Sequence, residues 1–400
     1  MLTPGAGSPI FSSQIGALSA PATNMESEVN QLKCLPQMEV IWGHDIVKAV
    51  SASLGDYGIH RPMTFTISSL ETWHREHLQP GIRDEVGRYV NLPPHVPDFA
   101  VREALQACVD KGARSIVAVG GGSVLDAAKA VSWQHFELTG NYLPIAAFPT
   151  TLSGAEFSHY FGVTETDGAQ KFKRSYAVRE TVPTLVAIDP SLIAGTPRHL
   201  LLSSAIKGID HAVEGMRRVG VDHPHAILAR QGVERFVGVL QSWPKQQETQ
   251  SLLASGDVSP DDLLNLQLAA WQCYFYPASV IYGLSHRIGH ILGGTFGLPH
   301  SVTSCVTLAP VIRATGASYG DKLSIFSNGI GGEAGAAQLS DRIAGLVTSL
   351  ALPSRLRDLN FDRANLPEVA ALLKQNYPSE VSDLGDNAAE KLDDLLERLW

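Results

Sequence analysis

Lys207 and His211 stand four residues apart in the run Ser203-Ser204-Ala205-Ile206-Lys207-Gly208-Ile209-Asp210-His211-Ala212-Val213-Glu214. His286 and His290 repeat that spacing in Gly283-Leu284-Ser285-His286-Arg287-Ile288-Gly289-His290, and His300 follows in Leu298-Pro299-His300. Residues four apart on a helix share a face, so each pair can aim at one locus. Imidazoles combined with a carboxylate are common ligands of a divalent cation, because such an ion needs deprotonated donors. Here an ammonium accompanies the imidazoles. It adds positive charge where a dication needs negative charge, and an unperturbed lysine frees its lone pair only at about pH 10.4. A His-xxx-His pair by itself more often packs or solvates than binds. The glycine pair Gly293-Gly294 and the turn presenting His300 favour a shared pocket. His223 and His225, which flank Pro224, read as capping or surface residues.

The elements that must carry this pocket come in two styles. From Met38 to Ile188 strand-like and helix-like segments alternate. Val40–Trp42, Met63–Ile67, Ser115–Val119, Leu143–Phe148 and Thr184–Ile188 read as strands, with helices over 45–54, 99–111 and 124–133. Such alternation predicts an α/β N-terminal domain with a doubly wound parallel sheet. From about Pro190 the pattern is helix after helix, at 199–217, 224–242, 260–282, 284–293, 302–315, 333–351, 366–376 and 387–399, which predicts an all-helical C-terminal domain. The expected divisions are a mobile tail over 1–37, rich in Ser, Pro, Gly and Ala, a dinucleotide-binding domain over 38–195, and a helical domain over 196–400 with the histidine pocket.

Strand 115–119 runs into Gly120-Gly121-Gly122-Ser123 and then a helix with Asp126 near its start. Bare amides at a helix N-terminus suit a pyrophosphate, since unpaired N–H groups and the helix dipole both favour an anion. A structural tight turn would look the same, and this is not the Rossmann GxGxxG. The block after the next strand, Pro149-Thr150-Thr151-Leu152-Ser153-Gly154-Ala155-Glu156, offers hydroxyls to a ribose or an amide, or is an ordinary polar loop. The basic run Lys171-Phe172-Lys173-Arg174 is either a solvated face or a holder of an acidic substrate.

Four hundred residues exceed what one core usually supports, so two domains are expected. A net charge of −9 argues against nucleic acid or an anionic membrane as partner. Cys34, Cys108, Cys273 and Cys305 are scattered and read as free thiols of a cytoplasmic protein. No apolar run is long enough to span a bilayer, and no secretory signal opens the chain.

Taken together, the Lys207–Glu214 run, the histidine stretch and the GGGS loop with Asp126 and Ala128-Lys129 resemble the iron-containing alcohol dehydrogenase superfamily. The same holds for the Pro-Thr-Thr turn, over a match running from about residue 38 to Trp400. Within it, the shortened 151–156 turn, Leu-Gly-Gly-Thr-Phe-Gly-Leu-Pro-His at 292–300 and the ending at Trp400 are most similar to the maleylacetate reductase branch. In the superfamily a carboxylate stands where this chain has Lys207. The branch departs from that norm at the same position and is thought to work without a tightly held metal.

The resemblance implies the dehydroquinate synthase-like fold and hydride transfer between NAD(P)H and a carbonyl or activated alkene of a small, acidic or polyketide-like substrate. The metal would be absent and Lys207 would stand in its place. It further implies a cofactor site at Gly120, Gly121, Gly122, Ser123, Asp126, Thr150, Thr151 and Ser153, a catalytic set of Lys207, His211, His286, His290 and His300, and a homodimer. The strand ending Ile67-Ser68-Ser69 lacks an acidic residue for the ribose, a mild preference for NADP. On physical grounds Lys207 would stabilise charge developing on the substrate oxygen, with His286 or His290 as general acid and His211 and His300 orienting the substrate or tuning Lys207. A salt bridge from Lys207 to Asp210 or Glu214 that only fills a vacated metal site is the plainer reading. A non-redox lyase, isomerase or cyclase on the same scaffold is the alternative function.

Overall fold

Apolar runs with no polar face build the first half of the fold. The computed structural model describes residues 34–166, 172–275 and 282–400. In it Glu39–Trp42 (β1), Pro62–Phe65 (β2), Gly87–Tyr89 (β3), Ser115–Gly120 (β4) and Ile145–Pro149 (β5) are strands. Beyond them come Tyr160–Glu165 (β6), Phe172–Ala177 (β7) and Leu185–Ile188 (β8). Six of these form one sheet in the order β1-β8-β5-β4-β2-β3, parallel at every pairing. β4, β5 and β8 are buried along their whole length, as a parallel sheet covered on both faces requires. On one face Val47, Val50, Leu78 and Leu192 pack onto Val117, Val119, Phe148 and Ala187.

β3 and the antiparallel pair β6–β7 have no counterpart among the expected strands. The reason is visible in β7: Phe172-Lys173-Arg174-Ser175-Tyr176-Ala177 carries charge in a two-stranded ribbon, so it lacks the apolar run that marks a sheet centre. All but the last four residues of the expected tail lie outside the described residues.

After Ile188 the described chain is helical, with the main helices at Arg198–Gly215, Pro224–Leu240, Pro260–Cys273, Leu284–Gly294, His300–Tyr319, Gly332–Ser349, Leu366–Asn376 and Ala388–Leu399. These match the expected spans closely, because one-sided apolar periodicity is a strong signal. The helix expected over 260–282 ends at Cys273, and residues 276–281 lie outside the described ones. Ser259 begins that helix with a capping box, its hydroxyl accepting from the Asp262 amide while the Asp262 carboxylate accepts from Ser259. His223 caps the Pro224–Leu240 helix through a bond from the His225 amide at 3.0 Å, as expected, whereas His225 is buried rather than on the surface. The change from strand to helix, where we place the proposed 195/196 boundary, falls inside one compact unit, Cys34–Trp400. Among the described residues no helix is long and apolar enough to cross a membrane.

The C-terminal ends of β4 and β5 meet at one rim. The Thr150 amide bonds the Gly120 carbonyl at 3.0 Å, which lays the loop after β5 against the loop after β4. The 151–156 turn is then held from below by Lys129, a fully buried lysine that donates to the carbonyls of Ala155 at 2.6 Å and Tyr160 at 2.9 Å. Burial pushes this ammonium down to about 8, opposed by the charges of Asp126 and Glu156. The Ala-Lys pair that resembles the family motif thus braces the loop from the protein side. Replacing Lys129 by Met would take the lysine donor from the part-buried Tyr160 carbonyl and leave the Ala155 carbonyl with only the Ser158 amide, at a cost of about 1–3 kcal/mol. We expect Lys129→Met to lower the denaturant midpoint clearly, and an unchanged midpoint would show that the brace carries no load.

Candidate active site

The Arg198–Gly215 helix runs through the interior, buried at nearly every residue from Leu201 onward. Its tight passage is made possible by Gly208: a Cβ there would come within 2.8 Å of the Phe236 ring and 3.3 Å of the Leu152 carbonyl. Ser204 accepts from the Leu152 amide at 3.0 Å, and Thr196 donates to the Thr150 carbonyl at 2.7 Å. The loop after β5 is therefore fastened to the helix that carries Lys207.

Lys207 is buried, and its Nζ donates to His286 Nδ1 at 2.7 Å and to Asp210 Oδ2 at 3.2 Å. The same carboxylate oxygen accepts from the Ser304 hydroxyl. Two of the three ammonium N–H groups are thus used, which leaves one. The salt bridge to Asp210 expected in the plainer reading is present, and the contact with His286 comes in addition to it.

His286 and His290 are placed by an acid on Lys207's own helix. Glu214 accepts from the amides of Gly283 at 3.1 Å, Ser285 at 2.7 Å and His286 at 2.9 Å, capping the Leu284–Gly294 helix. No side chain of the capped helix's own N-terminus does this. Burial and the nearby Asp210 charge push the Glu214 carboxyl up to about 8, against the pull of the amides.

The five expected residues come together. Ring centroids of His286 lie 4.6 Å from His290, 5.5 Å from His300 and 5.4 Å from His211, and His290 lies 5.3 Å from His300. His211 packs on Tyr274 at 4.3 Å, and Tyr282 stacks on His286 at 4.2 Å. The two tyrosines and Ser304 are partners that spacing alone does not reveal, since each arrives from a distant turn or helix, and the bonds from Glu214 to the 283–286 amides are equally hidden from spacing. All four histidines are held well below the usual imidazole range, first by burial and then, for three of them, by Lys207; for His290 the Arg287 and Lys173 charges come before it. They are neutral at physiological pH, so none carries a resident imidazolium proton. Nδ1 of His211 and of His290 is buried with no partner among the described residues, as in a pocket that meets a ligand.

Nitrogens of His286, His290 and His300 lie within 4.8 Å of one another, close enough to share an ion. The charge around them is unfavourable to a dication. The Lys207 ammonium bonds one of the three rings, and the Asp210 oxygen beside it is already taken by Lys207 and Ser304.

At the rim, no side chain caps the first turn of the Gly122–Thr139 helix. Ser123 is partly exposed there, and Thr151 and Ser153, 3.3 Å apart, lie alongside. Each glycine of the loop also has an internal reason. A Cβ would come within 2.6 Å of Val124 at Gly120, 2.8 Å of Thr151 at Gly121 and 3.3 Å of Ser153 at Gly122. Asp126 turns the other way and accepts from the Gly162 amide at 3.1 Å, so it fixes the β6–β7 ribbon.

An uncapped helix start at the rim of a parallel sheet, and a buried cluster of imidazoles with one ammonium, are the two features that the nicotinamide-dependent reading expects. Comparisons give the family. Residues 36–190 match the iron-containing alcohol dehydrogenase family, and residues 265–382 match its C-terminal family. Maleylacetate reductase from Pseudomonas aeruginosa is 29% identical over 341 residues, covering 85% of this chain and 90% of that protein. The crystal structure of a putative alcohol dehydrogenase from Ralstonia eutropha JMP134 superposes with a TM-score of 0.74 at 25% identity, over 91% of this chain and 96% of that one. A 1,3-propanediol oxidoreductase structure gives 0.79 at 19% identity, over 93% and 100%, and shares the fold. The chain belongs to the iron-containing alcohol dehydrogenase family, in its maleylacetate reductase-like branch.

Glu214 is open to a direct test. In Glu214→Gln an amide NH₂ replaces one acceptor, so at least one helix N–H loses its partner at a cost of about 1–3 kcal/mol. Hydrogen exchange across 284–294 should accelerate more than in the Arg198–Gly215 helix. Equal protection in variant and parent would mean that the cap does not hold the histidine helix.

Proposed function

We propose that this protein uses NAD(P)H to reduce a carbonyl or activated alkene in a small acidic substrate, with Lys207 doing what a resident metal does elsewhere in the family. The observation that carries this reading is the Lys207 ammonium, 2.7 Å from His286 and inside the histidine cluster. A dication placed among these rings would sit beside a fixed positive charge, with no carboxylate in the cluster of three histidine donors, so the residues present do not fit a tightly held metal. The substrate class rests on the maleylacetate reductases, whose name specifies an acidic ketone.

The cofactor, when bound, supplies a hydride. Its pyrophosphate would lie on the uncapped amides of Gly122 and Ser123, with the Thr151 and Ser153 hydroxyls alongside. Asp126, expected at this site, is left to its structural bond with Gly162. As negative charge grows on the substrate oxygen, the remaining N–H of Lys207 stabilises it and gives up its proton. The expected assignment of that proton to His286 or His290 is less favourable, because both rings are neutral. His286 instead orients the ammonium through Nδ1, Asp210 holds it from the other side, and His211, His290 and His300 wall the pocket and offer neutral N–H groups.

Lys207→Met alone would strand Asp210 as a buried charge, so the cleaner variant is Lys207→Met with Asp210→Asn. Its turnover of NAD(P)H with maleylacetate should fall about 10²–10³-fold, with a smaller change in KM. Lys207→Arg should also be poor, since the planar guanidinium does not replace a compact charge. Near-native turnover in the double variant would sink the assignment, and so would one tightly held iron or zinc per chain on elemental analysis.

The cofactor site is better tested by charge than by bulk. Valine at Gly121 would collide with Thr151 whatever binds there. Ser123→Asp instead places a carboxylate in the first helical turn, which favours the helix but repels a pyrophosphate. Dinucleotide affinity should fall at least about tenfold with thermal stability kept or raised. Unchanged affinity by calorimetry would remove this loop from the cofactor site.

A further inference from the structure

Lys173, in the basic run 171–174, lies close to the helix that carries the histidine pair. It sits on β7 directly across from Thr164 on β6. Its side chain passes between two glycines. A Cβ on Gly162 would come within 2.1 Å of Lys173 Cε, and one on Gly294 within 2.6 Å of Lys173 Cβ. Neither glycine has a left-handed backbone, so what each provides is close approach. Gly294 ends the helix that bears His286 and His290. Among the described residues no hydrogen bond or ion pair is formed by the Lys173 ammonium.

A second residue reaches the same place from an unusual backbone. His95 and Val96 have φ of +65° and +52°, and a β-branched residue rarely adopts such a conformation. Thr164 holds the pair, its hydroxyl donating to the His95 carbonyl at 2.7 Å and its amide to the Val96 carbonyl at 2.9 Å. Lys173 and this turn are therefore fixed by the same rung of the ribbon. The His95 ring comes to Gly293, where a Cβ would be 3.6 Å from His300 Nδ1 and 3.7 Å from His95 Cε1. Backbone strain of this kind collects where a side chain must be presented to a ligand.

We propose that Lys173, with His95 near it, is a carboxylate anchor on the β6–β7 side of the substrate pocket. This rests on the reductase reading of that pocket and names the feature of the substrate it selects. A permanently charged carboxylate takes charge-assisted bonds from the ammonium and a neutral N–H from the imidazole. The two lysines then divide the work: Lys173 holds charge already present in the substrate, and Lys207 meets charge that appears during reduction. Electrostatics agree with the placement. Burial and then the Lys173 charge hold His95 down, and Lys173 acts in the same direction on His290 and His300. Lys173 itself is lowered first by burial, with the Lys207 charge adding to it and Asp126 opposing.

Calorimetry with fumarate and with its dimethyl ester tests the anchor without needing turnover. The parent protein should bind fumarate, and both Lys173→Met and Lys173→Gln should weaken that binding at least about tenfold, the scale of a lost bond to a charged group. Binding of the uncharged ester should be equal in all three. No fumarate binding by the parent, unchanged fumarate binding in both variants, or an equal loss with the ester would overturn the proposal. Failure of the reductase reading looks different: fumarate binds through Lys173, yet no acidic ketone or enone oxidises NAD(P)H. The reverse pattern, NAD(P)H oxidation on maleylacetate with the same KM in Lys173→Met and parent, leaves that reading intact and removes the anchor.

Discussion

One carboxylate organises the pocket. Glu214 lies on the helix of Lys207 and receives three amides from the start of the helix of His286 and His290. A helix start left without a cap in the interior would strand several N–H groups, each of which costs free energy when buried unpaired. By accepting them Glu214 fixes both the distance and the rotation between the two helices. The 2.7 Å contact between Lys207 and His286 is a consequence of that docking. Any account of the chemistry therefore begins with a structural acid that touches no reacting atom.

The same helix also controls the opposite wall. Through Ser204, and through Thr196 just before its start, it grips the loop after β5, which in turn lies on the loop after β4. The glycine loop and the histidine cluster are thereby referenced to one rigid element. Gly154, with φ of +72°, completes the link, because its missing side chain lets Tyr274 close over the turn and reach His211. A buried polar network of this size is stable only when its members satisfy one another. Among the described residues of the pocket, Nδ1 of His211 and of His290, the Tyr282 hydroxyl and one oxygen of Asp210 are the buried groups left without a partner.

Burial decides which groups can carry a proton. Four imidazoles crowded around an ammonium cannot also be charged, so the cluster is a set of neutral donors and acceptors. That makes them adequate metal ligands by chemistry and poor general acids. With an ammonium already among them, it also makes a second cation costly.

Periodicity and motif spacing were enough to read much of this from the chain. Apolar β-branched runs gave the parallel strands, one-sided periodicity gave the long helices, and i,i+4 spacing paired Lys207 with His211 and His286 with His290. Those signals are local, so they survive in one dimension. β7 and the His95–Val96 turn were not legible: a charged strand in a ribbon looks like a surface loop, and a left-handed valine has no sequence mark. Asp126, expected at the cofactor by motif position, accepts from the Gly162 amide through one oxygen, a bond that motif position does not announce. Glu214's cap, the Asp210–Ser304 bond and the placement of Lys173 between Gly162 and Gly294 join residues far apart along the chain. Which lysine is buried, and what it touches, depends on how the helices and the ribbon pack, and only the tertiary structure decides that.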